Sequence, residues 1–211
     1  MKYFKKLIGE RIYLSPRNTE EVEKFTEWLN DFETTDYIGR SALIMTLDAE
    51  KKYFEESKNN NYNFFIITID NDKLIGTVGL ENYDYIDRVA TLGIFIGDKE
   101  YRNNGYGTEA IRLVLDYGFN YLNLNNIKLD LMSFNDRALK CYQKCGFKEY
   151  GRRRKCKFIN GKYYDCIEMD ILAEEFKGSY IKNKNIIWKI YKRIKSVCKM
   201  SYNSIIAHLK I

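Results

Sequence analysis

Arg102-Asn103-Asn104-Gly105-Tyr106-Gly107-Thr108 and, further along, Asn135-Asp136-Arg137-Ala138-Leu139-Lys140-Cys141-Tyr142-Gln143-Lys144-Cys145-Gly146-Phe147 are the segments whose reading decides the fold. The first stands between two periodic runs. Before it, Arg88 to Ile96 reads as a strand in which Val89, Leu92, Ile94 and Ile96 are mixed with Gly93, and a glycine there signals a bulge or a close backbone approach. After it, Ala110, Ile111, Val114, Leu115, Phe119 and Leu122 fall on one stripe of a helix from Tyr106 to Leu122. Glycines at such a junction let successive N–H groups converge, and the helix N-terminus adds partial positive charge, so a pyrophosphate can be held without a row of lysines. Alone, a Gly-x-Gly also suits a plain strand-to-helix turn. The third glycine of a dinucleotide fingerprint and the Gly-Lys-Ser/Thr of a P-loop are both missing.

Working outward, Ile127 to Met132 alternates as a strand, Asn135 to Cys145 is a helix closed by Gly146, and the two last strands flank Asn160-Gly161, a strong hairpin signal. Toward the N-terminus, Asn71-Asp72 turns a hairpin between Asn63–Ile69 and Lys73–Leu80. Thr46 or Asp48 caps a helix with Tyr53 and Phe54 inward. Asn18 or Thr19 opens another carrying Val22, Phe25, Trp28 and Leu29, behind a first strand Ile12–Ser15. The expected order is β-α-α-β-β-β-α-β-α-β-β, an α/β protein with a mixed sheet and helices on both faces.

Arg-x-x-Gly-x-Gly opening a helix, followed by Asn-x-x-Ala-x-x-x-Tyr-x-x-x-Gly-Phe, resembles the two signature motifs of the GNAT acetyltransferases. The strand Ala90–Ile96 and the Asn160-Gly161 hairpin are also similar to that family, and the resemblance runs from about Ile8 to Leu172. It implies a GNAT fold with a splayed central strand pair, acetyl-CoA as co-substrate, and no metal. It implies further that the backbone of Ile94, Phe95 and Ile96 pairs with the pantetheine arm, a bulge near Gly93 admitting the thioester. Arg102, Asn103, Asn104, Gly105, Tyr106, Gly107 and Thr108 would take the pyrophosphate. Asn135 and Ala138 would line the pantetheine, Asn135 contacting it or capping the local backbone, and Tyr142 would be the general acid. An amine attacking a thioester develops an oxyanion and expels a thiolate, so N–H donors and a proton source are both needed. The only histidine, His208, lies near the C-terminus, so an acidic residue or a relayed water is expected to act as base: Glu81 first, Asp84 next.

The N-terminal part resembles the branch that acetylates ribosomal-protein N-termini, and the C-terminal half is similar to bacterial spermidine acetyltransferases. The acceptor is therefore expected to be a protein N-terminus or a small amine, with polyamines and aminoglycosides as alternatives. Thr91, where the polyamine enzymes carry a carboxylate, departs from that branch. The loop Tyr37 to Ser41 and the hairpin Arg152 to Tyr164 are the expected acceptor walls. Arg152-Arg153-Arg154 would favour an anionic acceptor if it faced the cleft; otherwise it is a solvated run. An acyl-CoA-binding module without turnover is the non-enzymatic alternative.

Charge divides the chain. Nine basic and no acidic residues follow Phe176, whereas the rest holds 26 basic against 29 acidic side chains, a mildly acidic domain with a basic extension. The expected division is a catalytic domain over 1–175 and an amphipathic extension over 176–211. In the latter, the stripe Ile187, Ile190, Tyr191, Ile194, Val197 and Cys198 can dock on the domain, pack a second copy into a homodimer, or meet a membrane, a ribosome or a partner subunit. The acidic domain argues against specific nucleic-acid binding. Leu7, Ile8 and Ile12 are interrupted by Gly9, Glu10 and Arg11, which is no signal-peptide pattern. Five cysteines without CxxC spacing fit reduced thiols in a cytoplasmic protein rather than a disulfide framework or metal site.

Overall fold

The computed structural model describes residues 2–56 and 62–182. The apolar stripe of the basic extension lies outside them, and so do the roles expected of it.

Among the described residues an eight-stranded sheet forms in the order β1-β2-β3-β4-β5-β6-β8-β7. Its strands are β1 (Leu7–Ile8), β2 (Ile12–Pro16), β3 (Asn63–Thr68), β4 (Leu74–Asp84), β5 (Val89–Ile96), β6 (Asn126–Met132), β7 (Lys148–Ile159) and β8 (Lys162–Leu172). The helices are α1 (Val22–Asn30), α2 (Phe32–Thr35), α3 (Leu47–Glu56), α4 (Tyr106–Asn120) and α5 (Asp136–Lys144). Each strand and helix expected between Ile12 and Leu172 is present. The two-residue β1 and the one-turn α2 are additions too short to show a period.

Side-chain alternation gives the sheet two apolar faces. One packs Leu14, Ile66, Val78, Leu80, Leu92, Ile127 and Leu129 against Ile111, Val114 and Leu115 of α4. The other packs Tyr13, Phe65, Ile67 and Leu74 against Phe25 and Trp28 of α1 and Phe54 of α3. Phe25 is the hub of the second, with ring centroids 5.3–5.6 Å from those of Trp28, Phe54, Phe65 and Phe95.

Residues 176–182 stay on this body. Phe176 packs on Phe119 at 5.2 Å, and Ile181 is buried in the α4-side core. Asp116 of α4, fully buried, accepts the backbone N–H of Tyr180 at 2.6 Å and of Ile181 at 3.0 Å.

Two local features differ from expectation. The bulge is not at Gly93, which pairs in register with Gly79; the extra residue lies on β4 between Glu81 and Asp84, where Asn82 takes φ 50°. Cys156 and Cys166 are joined as a disulfide across the β7–β8 hairpin, their Cα atoms 6.3 Å apart, so these two thiols are not free as expected. Cys141 and Cys145 are free. No helix among the described residues is long and apolar enough to cross a membrane.

Candidate active site

β5 and β6 run parallel but pair only at Val89↔Asn126, Ala90↔Ile127 and Thr91↔Lys128. Beyond Thr91 they part, and a cavity of about 660 Å³ opens between Leu92–Ile96 on one side and Asp130–Met132 on the other. The glycine turn forms one end of the same cavity through Arg102, Asn103, Gly105, Gly107 and Thr108, and α5 forms a wall through Asn135, Ala138, Cys141 and Tyr142. A Cβ built on Gly107 would lie 3.9 Å from both Ile94 and Ile96, so splayed strand and turn are in contact.

The turn owes its shape to two left-handed residues, Asn103 at φ 62° and Gly105 at φ 82°. Helix α4 begins directly after, its first intrahelical bond running from Glu109 N–H to Gly105 C=O at 3.1 Å. The N–H groups of Tyr106, Gly107 and Thr108 precede that bond and are left as donors at the positive end of the helix. Three side chains of the turn have other work. Arg102, its side chain 9% exposed, donates from Nε to Ile96 O at 3.0 Å and from Nη2 to Gly97 O at 3.1 Å and Thr34 Oγ1 at 2.7 Å. It braces the end of β5 against α2 rather than reaching for a ligand. Asn104 donates to Glu100 O, and Tyr106 lies under the Arg11 guanidinium at 4.4 Å, outside the cavity.

The strand edge is also narrower than expected. Ile96 C=O is turned away from β4 and taken by Arg102, whereas Phe95 C=O faces Gly76 on β4. By strand alternation Ile94 turns both its backbone groups toward the gap, leaving Ile94 and the N–H of Ile96 as the open edge. Phe95 contributes its ring, seated against Phe25 and Trp28.

Tyr142 is buried and borders the cavity, its ring edge-on to Phe147 at 5.9 Å. Burial pushes its phenol well above the ordinary value of 10.0, and the neighbouring Cys141, Asp130 and Cys145 add to the shift. It therefore stays protonated throughout the neutral range. Asn135 caps α5, its Oδ1 accepting Ala138 N–H at 3.1 Å, while its Nδ2 donates to Tyr37 O at 3.3 Å. Of the two open roles for Asn135, the cap is the one present.

Glu81 lines the cavity, directly across from Thr91 on β5. Asp84 does not; its Oδ1 accepts the N–H groups of Ile86 and Asp87 in the β4–β5 turn. Tyr37, Ile38 and Arg40 form the expected wall, whereas the β7–β8 hairpin contributes no lining residue and Arg152, Arg153 and Arg154 are exposed away from the cavity.

Lining residues the motifs did not point to include Arg137, Lys140 and Lys144. Their i, i+3, i+7 spacing on α5 was a readable signal, a basic stripe on one helix face. Arg17, Glu50, Asn63 and Thr77 also line the cavity, brought from separate elements. No group of three or more potential metal ligands occurs among the described residues.

A family model described as Acetyltransferase (GNAT) domain matches residues 11–148. The probable N-acetyltransferase YjcK of Bacillus subtilis (strain 168) is 33% identical over 172 residues, covering 75% of this chain and 92% of that one. Spermidine N(1)-acetyltransferase of Escherichia coli (strain K12) is 35% identical over 139 residues, 66% of this chain and 72% of that one. Among solved structures, spermidine N-acetyltransferase from Vibrio cholerae in complex with CoA and spermine superposes with a TM-score of 0.73 at 28% identity, covering 78% of this chain and 97% of that chain.

Proposed function

Because this chain belongs to the GNAT family and is an N-acetyltransferase, we propose that it moves the acetyl group of acetyl-CoA directly to a primary amine, through the residues that line the splayed β5–β6 gap. The observation that carries this reading is the continuity of one cavity from the free edge of Ile94, past Tyr142, to the N-terminal amides of α4. The residues fit the donor: three amides at a helix N-terminus suit a pyrophosphate, Arg137, Lys140 and Lys144 add cations along the same wall, and an unpaired strand edge suits an amide-bearing arm. Bound acetyl-CoA supplies an activated acyl carbon and a thiol leaving group.

Each residue then has one task. Ile94 N–H and C=O align the arm as an added strand would. Tyr142, kept neutral by burial, holds the proton that the departing sulfur needs. Glu81 takes the proton from the incoming ammonium, directly or through water. We place the enzyme in the cytoplasm, where acetyl-CoA is available.

Amine-dependent release of free CoA thiol tests this reading. Turnover with at least one primary amine is expected, and tight CoA binding with no turnover on any peptide, polyamine or aminoglycoside would reduce the protein to a binding module. Glu81→Gln is expected to lower kcat by roughly ten- to a hundredfold with the KM for acetyl-CoA unchanged. A wild-type kcat in that variant removes Glu81 as the base. Gly105→Ala puts a side chain at φ 82°, costing about 1 kcal/mol in fold stability, and turns the amides away from their convergence point. Its expected signature is a raised KM for acetyl-CoA with little change in kcat; an unaltered KM would remove the turn from donor binding.

A further inference from the structure

The glycine turn is gripped from two sides, and the second grip comes from the far end of the sequence. Arg102 braces it toward β5 and α2; the turn between β1 and β2 holds it from outside the cavity. There the backbone N–H groups of Glu10 and Arg11 converge on Glu109 Oε1 of α4, at 2.6 and 2.9 Å. The Glu109 carboxylate, in the first turn of that helix, is thereby committed to the β1–β2 turn.

The Arg11 side chain then reaches along the glycine turn itself. Its Nε donates to Glu109 Oε2 at 3.2 Å and its Nη1 to Asn104 O at 2.9 Å, while the guanidinium lies 4.4 Å from the ring centroid of Tyr106. A Cβ built on Gly105 would stand 3.2 Å from Nη2, so the fork lies flush against the backbone. Asn104 sits between Asn103 and Gly105, the two left-handed residues that shape the turn. Left-handed backbone at a residue other than glycine is sparsely populated and persists where its surroundings hold it. The carbonyl that Arg11 grips is therefore well placed to fix this conformation. Arg11 itself is not one of the described residues that line the cavity.

We propose that Arg11 is a positioning residue for the donor: through Asn104 O, Glu109 and the Tyr106 ring it keeps the amides of Tyr106, Gly107 and Thr108 aimed at the pyrophosphate without touching the donor. This role rests on the donor-binding reading of the turn given above.

Calorimetric titration of the full chain with CoA tests it without requiring turnover, and acetyl-CoA kinetics run beside it. Arg11→Met keeps an apolar stem over Tyr106 and removes the fork. It is expected to weaken CoA binding and raise the KM for acetyl-CoA by about five- to tenfold, one charge-assisted contact discounted for a side chain half exposed to water. The kcat and the KM for the amine should stay within about twofold. Arg11→Lys keeps the charge but cannot span Asn104 O and Glu109 together, so it is expected to behave like Arg11→Met. Combined with Glu109→Gln, Arg11→Met should give a less than additive loss, because both side chains hold one turn. Loss of folding alone would lower Tm and the active fraction, hence kcat, and leave CoA affinity and KM unmoved. Wild-type CoA affinity in Arg11→Met, or additive losses in the double variant, overturns the proposal. Full recovery by lysine also overturns it, since Arg11 would then act on the donor phosphates by charge. Failure of the wild-type chain to bind CoA overturns the donor-binding reading itself.

Discussion

Tyr142→Phe is expected to lower kcat by about a hundredfold to ten-thousandfold, the range spanned by positioned general acids, with the KM for acetyl-CoA nearly unchanged. The substitution removes one oxygen and keeps the ring that packs on Phe147, so the loss belongs to chemistry rather than folding. Direction follows from burial: a phenol held above its ordinary pKa is fully protonated at neutral pH and available at every turnover. For the same reason any alkaline loss of activity near neutrality must come from another group, and the profile of Tyr142→Phe should keep the wild-type shape at reduced height. A variant within about threefold of wild type would make Tyr142 a core aromatic and nothing more.

Asp116→Ala is expected to cost about 3 kcal/mol, because the backbone N–H groups of Tyr180 and Ile181 would be left buried without their acceptor. Asn120 Nδ2, 2.9 Å from Asp116 Oδ1, would lose a partner as well. For a chain of this size the corresponding fall in Tm is roughly 6–12 °C, measurable by calorimetry. Asp116→Asn, which keeps one acceptor oxygen, should lie between the two. Residues 176–182 should become cleavable by protease in the alanine variant before the rest of the domain unfolds. A Tm within about 2 °C of wild type would show that this segment contributes little to the core.

The fold was legible where a period could accumulate. Ala110, Ile111, Val114 and Leu115 fixed α4, and all four are fully buried. Asn160 and Gly161 set the last hairpin, both at positive φ as a tight two-residue turn requires. Gly93 misled, because a glycine within a strand has several causes; here a Cβ at that position would meet nothing within 4 Å, and the residue leaves the cavity floor open instead of carrying the bulge. The disulfide was hidden for a related reason. A strict two-residue hairpin at Asn160-Gly161 pairs Ile159 with Lys162 and would set Cys156 opposite Asp165, on the wrong face for Cys166. The register shift between Arg153 and Lys157, with Lys155 at φ 48°, slides Cys156 alongside Cys166.

The candidate site divides the same way. The turn, Asn135 and Tyr142 follow local spacing and were readable. Arg17, Arg40 and Glu50 reach one cavity from separate parts of the chain, and nothing in their sequence separation announces it. The side chain of Arg102 shows the limit of a motif: its position belongs to the turn, but its hydrogen bonds belong to the strand.

Among the described residues the strand order leaves β7 with a partner on one side only, and along it Arg152, Arg153, Arg154 and Lys155 are all exposed. An unpaired ladder is a template on which another chain can polymerise, and four consecutive cations oppose it by mutual repulsion whenever two such edges approach. Concentrated protein should accordingly resist fibrillar growth through this margin, and that resistance should weaken as added salt screens the repulsion.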